Sequence, residues 1–345
     1  MKWPWGARRN SFQPSYADGG FRGTLKEITV FKINQVRGKT GKQDRQVPDS
    51  TVYNCKWLTN FSETSKHLNV PVLTYHSMNI NGDTYCQNDH LAFASDLEAI
   101  HELGFRVISL KKVVDWQLGL LPDDVTLNTV AITFDDGSWF DFYDLDHPAC
   151  GLQRSMFNIM LDHNARHGSA HLAHATSFVI SSPQARNSLD KSCMIGKDWW
   201  GDQWWVTAAS SGIMDIECHS WDHVHPLLSH VAQMDQIKGD FKQVKSFIDS
   251  EIQFSKAGEY IGRVLGDRPS LFAYPYGSAS DYAVNQYLPE HQSRHRYRAA
   301  FTTEPKAVSK TDNRWLLPRF VCGHHWRSPE GLKEILKNSQ NDPML

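Results

Sequence analysis

The 345-residue sequence has no apolar run approaching the ~20 residues that a membrane-spanning helix needs. Its first residues, Met1-Lys2-Trp3-Pro4-Trp5-Gly6-Ala7-Arg8-Arg9, lack the apolar core of a secretory signal. The expectation is therefore a cytoplasmic protein as the sequence stands, or an envelope or extracellular one if an export signal is missing. Neither charge is in excess: Lys and Arg number 36 against 38 Asp and Glu, so a net −2 offers no general attraction to nucleic acid or anionic membrane. No Cys-x-x-Cys pair occurs among Cys55, Cys86, Cys150, Cys193, Cys218 and Cys322, which argues against a zinc ribbon or a thioredoxin-like redox site. Buried thiols are the expectation for these six. No internal repeat points to a solenoid.

What is present begins with Thr129-Val130-Ala131-Ile132-Thr133-Phe134-Asp135-Asp136-Gly137. An apolar, β-branched run closed by a turn signal reads as a short buried strand. Successive side chains on an extended segment point to opposite sides, so Asp135 and Asp136 cannot share one role. One can hold a metal while the other stays free to take a proton. Alone, the tripeptide reads equally well as a solvated turn, so partners at other strand ends decide.

Residues 1–66 are polar and turn-rich, with one plausible strand over Ile28–Ile33, and read as an extension to a main domain over 67–345. From Asn69 strands and helices alternate. Strands are expected over 70–76, 105–110, 129–136, 176–180, 213–218, 271–274, 298–302 and 315–321. One helix is N-capped by Asn88 or Asp89 and stops at Gly104; a short one follows at 113–118. Others carry Leu152, Met156 and Ile159, cover 203–210, run from about 231 to 252, and open at Ser328-Pro329-Glu330. This alternation implies a mainly parallel sheet in an α/β chain, and seven or so units can close into a barrel whose chemistry gathers at the C-terminal strand ends.

The polar residues sit at such ends. The strand 213–218 runs into His219-Ser220-Trp221-Asp222-His223, and a His-x-x-x-His spacing can turn two imidazoles toward one point. Two imidazoles and a carboxylate make a common three-ligand hydrolytic centre with an open position for water. His225 is either structural or a further candidate ligand. Phe272-Ala273-Tyr274-Pro275-Tyr276-Gly277 ends another strand, and its aromatics could wall a groove. His76 closes the strand at 70–76, where a histidine after an apolar run needs a partner or a task. The segment Trp199-Trp200-Gly201-Asp202-Gln203-Trp204-Trp205 reads either as a sugar-stacking wall or, with Trp200 and Trp204 on one helical face, as core. Trp139, directly after the first aspartate pair, is the better contact candidate, while Arg294, His295, Arg296 and Arg298 read as a solvated edge.

Thr133-Phe134-Asp135-Asp136-Gly137, His219-Ser220-Trp221-Asp222-His223 and Phe272–Gly277 resemble the first three motifs of the NodB-homology polysaccharide deacetylases, carbohydrate esterase family 4. The resemblance covers roughly 69–325 and implies a distorted (β/α)7 barrel. It makes Asp135 the catalytic base and Asp136, His219 and His223 the ligands of a divalent metal, zinc first, with cobalt or nickel also suited to such a set. Ala273 stands where most of the family has an arginine that orients the base, and Arg319, at another strand end, is the candidate replacement. The late Leu-x-His motif that supplies the acid is absent, and Leu73-Thr74-Tyr75-His76 precedes the first motif instead. That order resembles the circularly permuted branch typified by poly-β-1,6-N-acetylglucosamine deacetylases, and makes His76 the general acid.

The resemblance implies metal-dependent removal of N-acetyl groups from an acetylated amino-sugar polymer or oligomer, with Trp139, Tyr274 and Tyr276 as substrate contacts. A backbone N–H just after Gly137, at Ser138 or Trp139, would meet the oxyanion. Two other classes compete: a hydrolase of O-acetyl esters or small cyclic amides, and an inactive carbohydrate-binding protein.

Overall fold

The computed structural model describes residues 69–168, 172–228 and 238–341, all within one compact unit, Glu63–Leu345. The expected extension over 1–66 and its strand, and the first part of the helix expected at 231–252, lie outside the described residues.

Ten strands are present among the described residues: β1 (Val72–Tyr75), β2 (Arg106–Val107), β3 (Thr129–Asp136), β4 (Leu145–His147), β5 (Gly151–Gln153), β6 (Ala175–Val179), β7 (Met214–Cys218), β8 (Leu271–Ala273), β9 (Ala299–Phe301) and β10 (Phe320–Val321). Seven form a parallel path in the order β10-β1-β3-β6-β7-β8-β9, with β2 paired to β3. The path curls until Phe301 in β9 bridges Leu317, three residues before β10. This is the distorted (β/α)7 barrel that the resemblance implied, built on the mainly parallel sheet that the alternation suggested.

Helices α1 (Asp89–Glu102), α2 (Leu110–Gln117), α3 (Met156–His167), α4 (Pro183–Cys193) and α5 (Trp205–Ser210) clothe it. Caps set their starts: the side chains of Asn88, Ser109, Ser155 and Ser182 accept N–H bonds at the first turns of α1 to α4. Gly104 follows α1 at φ +72°, a left-handed position that glycine adopts without penalty.

The strand period decides which chemistry reaches the interior. Val130, Ile132 and Phe134 pack in one cluster with Phe93, Leu97 and Ile100 of α1. Ala131 joins Val72, Phe178, Ala273 and Phe301 in the other. Thr133 and Asp135 share the parity of Ala131, and Thr133 bonds Thr74 of β1 at 2.9 Å. Asp135 is thereby delivered to the inside of the sheet, near its C-terminal rim.

Several expected elements differ. Only 106–107 of the strand at 105–110 pairs, because Ser109 caps a helix that already starts at Leu110. Leu152 belongs to a short hairpin strand and is exposed, so the third helix begins at Met156 after the Ser155 cap. The long helix lies later, over 247–265, opened by Ser246 and crossing a π-helical turn at Glu251–Lys256. The last expected strand shortens to Phe320–Val321. Ser328 does cap the final helix, Pro329–Asn341. Among the described cysteines, Cys218 and Cys322 are buried as expected, Cys150 and Cys193 are half-buried, and Cys86 is exposed, its thiol donating to the Arg327 carbonyl. No helix of the described residues is long and apolar enough to cross a membrane.

Candidate active site

Asp135 meets Arg319 in a two-pronged pair: Nη1 reaches Oδ1 at 2.7 Å and Nη2 reaches Oδ2 at 2.8 Å. Arg319 is wholly buried and donates further to the Thr133 hydroxyl and the Thr302 carbonyl, with its guanidinium over the Phe178 ring. Parallel N–H donors match a carboxylate in both distance and direction, so the pair fixes the orientation of Asp135 as well as its charge. Burial pushes the Asp135 carboxyl up, but the charges of Arg319, then His219, outweigh it and hold it down at about 2. Asp135 is thus ionised and held in one orientation.

Asp136 turns the other way, at φ +79°, with Gly137 next at φ +74°. A Cβ on Gly137 would lie 2.5 Å from Val179 Cγ1, so the turn has room only for glycine. Asp136 Oδ1 is 3.6 Å from His219 Nε2 and 3.5 Å from His223 Nε2. A tetrahedral ion with ligand bonds of about 2.0–2.1 Å sets its donors about 3.4 Å apart, so these three atoms fit one. His219 Nδ1 donates to the Ala273 carbonyl at 2.9 Å, which leaves Nε2 as the lone-pair nitrogen facing Asp136. Burial lowers both imidazole pKa values, that of His223 well below its ordinary value, so both rings are neutral and fit to ligate.

The backbone is strained here. Of the eight described non-glycine residues with positive φ, five are Asp136, Ser220, His223, Val224 and Tyr276. Such conformations cost on the order of 1–3 kcal/mol each and gather where geometry serves function. Gln253 helps hold the strained loop, donating to Asp222 Oδ1 and accepting from the Trp221 N–H.

His76 follows β1, and its charge is felt by both Asp135 and His223, which places it at the same rim. Its backbone N–H donates to Asp89 Oδ2 at 2.8 Å, so the first residue of α1 holds the turn that carries it. Asp89 was readable in the sequence only as a helix cap. Asp141 was missed altogether. It is fully buried, accepts from the Ser177 hydroxyl at 2.6 Å, and is raised to about 7, chiefly by burial, with Asp136 and Asp135 adding to it. Its other oxygen has no hydrogen-bond partner.

The aromatic candidates separate. Tyr276 is half-buried with its ring edge-on to His223 at 4.6 Å, and Trp139 is also half-buried. Tyr274 is not a surface contact: its ring is wholly buried in the core and its hydroxyl donates to the Trp315 carbonyl at 2.9 Å. The tryptophan segment is core, with Trp204 and Trp205 fully buried, and it also braces the first motif. Trp200 Nε1 donates to the Asp136 carbonyl at 3.0 Å, and the Trp199 carbonyl accepts from the Trp139 N–H at 2.9 Å. That second bond removes Trp139 as an oxyanion donor and leaves Ser138 of the two expected. His225 Nδ1 accepts from the Leu227 N–H, and His225 is not in the group whose donors converge with Asp136. The basic run is not simply a solvated edge: His295 is fully buried against Tyr297, and Arg298 pairs with Asp115.

An ionised Asp135, the converging donors of Asp136, His219 and His223, and His76 thus gather at the C-terminal rim of a parallel barrel, where such folds carry their chemistry. Residues 123–292 match the polysaccharide deacetylase family. That stretch includes Asp135, Asp136, His219, His223 and Tyr276, but neither His76 nor Arg319, which join the site through the fold. No curated protein sequence matches the chain. Among solved structures it is similar to IcaB from Ammonifex degensii, at 17% identity over 80% of this chain and 98% of that one, TM-score 0.52. It is also similar to the deacetylase PplD of Streptococcus pyogenes, solved with acetate, at 18% identity over 78% and 99%, TM-score 0.51. A polysaccharide deacetylase from Bacillus cereus gives 17% identity over 78% and 69%, TM-score 0.50. These likenesses describe the fold.

Proposed function

We propose that this protein hydrolyses N-acetyl groups of an N-acetylglucosamine-containing polysaccharide or oligosaccharide, releasing acetate. The observation that carries the reading is the juxtaposition at one strand end of Asp135, clamped and ionised by Arg319, with the converging donors of Asp136, His219 and His223. An inactive binding protein has no use for a carboxylate kept charged inside a barrel. The names of the similar structures support the substrate class.

A divalent ion held by Asp136, His219 and His223, zinc first and cobalt or nickel next, would act as Lewis acid and bring the pKa of a water from ~16 towards ~7. Asp135 accepts a proton from the attacking water as the new carbon–oxygen bond forms. Arg319 keeps the carboxylate ionised beforehand and aimed throughout. The Ser138 backbone N–H is the protein donor for the developing oxyanion. His76 gives a proton to the amide nitrogen as the carbon–nitrogen bond breaks, since an amine anion is a very poor leaving group. Acetate and a free amino sugar result. Trp139 and Tyr276 are the proposed sugar contacts at the rim.

The test is acetate release from a panel containing N-acetylglucosamine oligomers of several lengths, O-acetylated sugars and small cyclic amides. Release from the N-acetyl oligomers alone is expected; preference for O-acetyl esters would move the protein to the second class. Release from none, with metal bound, would leave a binding protein.

A further inference from the structure

The outer helical layer holds a second group with the same donor types. Glu98 and His101 lie one turn apart on α1, and His163 and His167 one turn apart on α3, so the facing helices bring the donors of Glu98, His163 and His167 together with the His101 ring beside them. Glu98 Oε1 is 3.4 Å from His163 Nδ1, and Oε2 is 2.8 Å from His167 Nε2. The His101 and His167 rings are 3.8 Å apart by centroid, and those of His163 and His167 4.5 Å. One donor atom each from Glu98, His163 and His167 lies within 4.8 Å of the other two. The tetrahedral spacing of about 3.4 Å falls within that range.

We propose that Glu98, His163 and His167 form a second divalent-cation site of the zinc class that staples α1 to α3. Three imidazoles crowded in a half-buried place repel one another when protonated, and when neutral they offer several lone pairs. An ion takes one from each of His163 and His167 together with a carboxylate oxygen of Glu98. Burial lowers the pKa of His163, consistent with a ligating ring. Arg166 competes, with Nη2 3.0 Å from Glu98 Oε1, but its side chain is 57% exposed and can swing into solvent. The staple is not a second catalytic centre. Its ligands stand on regular helices, and Asp89, which holds the His76 turn, lies roughly 14 Å up α1 at 1.5 Å per residue.

The experiment counts bound zinc by equilibrium dialysis and elemental analysis in four proteins, each with Tm measured with and without zinc. These are the wild type, the stripped variant Asp136→Ala/His219→Ala/His223→Ala, the double variant Glu98→Gln/His167→Gln, and the two sets combined. The expected result is about one equivalent of zinc in the stripped variant, with a Tm raised by several degrees on zinc addition. The combined variant should lose both. The double variant should bind one equivalent fewer than wild type and release acetate at an unchanged rate. Glu98 and His167 are both partly exposed, so that variant should fold, and circular dichroism in chelator checks it. A stripped variant that binds no zinc at micromolar free ion, or a double variant with wild-type stoichiometry, would overturn the staple. Should the stripped variant not fold, the wild-type and double-variant counts decide alone. Loss of acetate release has no bearing on any of these counts.

Discussion

His219 with His223 and His163 with His167 share one spacing, and each pair faces a carboxylate from another segment. The second pair reaches convergence at no conformational cost, because residues four apart on a helix already share a face. The first pair does so on a loop where Ser220, His223 and Val224 all take positive φ. The strained version gains its neighbourhood: it stands at the rim of β7, where β3 brings an ionised aspartate, the turn before β10 brings the arginine that holds it, and β1 brings His76. Near Glu98 the charged neighbour is instead an exposed arginine competing for the carboxylate. Ligand type and spacing therefore decide whether an ion can bind, and the surrounding groups decide whether anything can react.

This comparison breaks most severely at His76, the proposed proton donor. His76→Gln should lower kcat for N-acetyl substrates by about 10²–10⁴-fold with little change in KM, and leave release from an aryl acetate, whose leaving group needs no proton, near wild type. Equal losses on both substrates would remove His76 from its role. Arg319→Met should come next. An unpaired, buried Asp135 would destabilise the fold by about 3–5 kcal/mol in chemical denaturation and also lower activity, whereas Glu98→Gln should cost about 1 kcal/mol or less.

Smaller effects sharpen the contrast between buried carboxylates. Asp141 has a folded pKa near 7, above its unfolded value, so the folded state binds the extra proton between about pH 4 and 7. Stability of the metal-free protein should fall as pH rises through that window, and Asp141→Asn should flatten the dependence, by about 2 kcal/mol, in urea melts at pH 5 and 8. The Asp135 contribution has the opposite sign: present above about pH 4 and lost as pH falls towards 2. Smallest is Tyr274→Phe, which removes the bond to the Trp315 carbonyl and should cost about 1 kcal/mol in stability with KM unchanged. A raised KM there, without loss of stability, would return Tyr274 to the substrate groove.

Much of the barrel could be read because its strands are short apolar runs with period two and its helices open on Ser or Asn caps. The same parity separated Asp135 from Asp136, and the arginine that the family resemblance left without a place at Ala273 led to Arg319, at another strand end. Tyr274 was misjudged because a strand-end aromatic before Pro-Tyr-Gly reads the same whether it faces a groove or the core. The helix at 247–265 was placed too early, its start marked by Ser246 and Asp249, a capping pair among polar neighbours. The strained φ values carry little sequence mark: Asp and His are merely enriched there among non-glycine residues, and Val224 and Tyr276 belong to types that avoid it. Asp141 and the Glu98 cluster depend on packing between segments distant in sequence, which no local pattern reveals.

The most direct test is Asp135→Asn, with bound metal and acetate release measured on the same preparation. The account predicts a folded protein with wild-type metal content and acetate release from N-acetylglucosamine oligomers at least about 10²-fold slower. Turnover at the wild-type rate in that metal-loaded variant would contradict it.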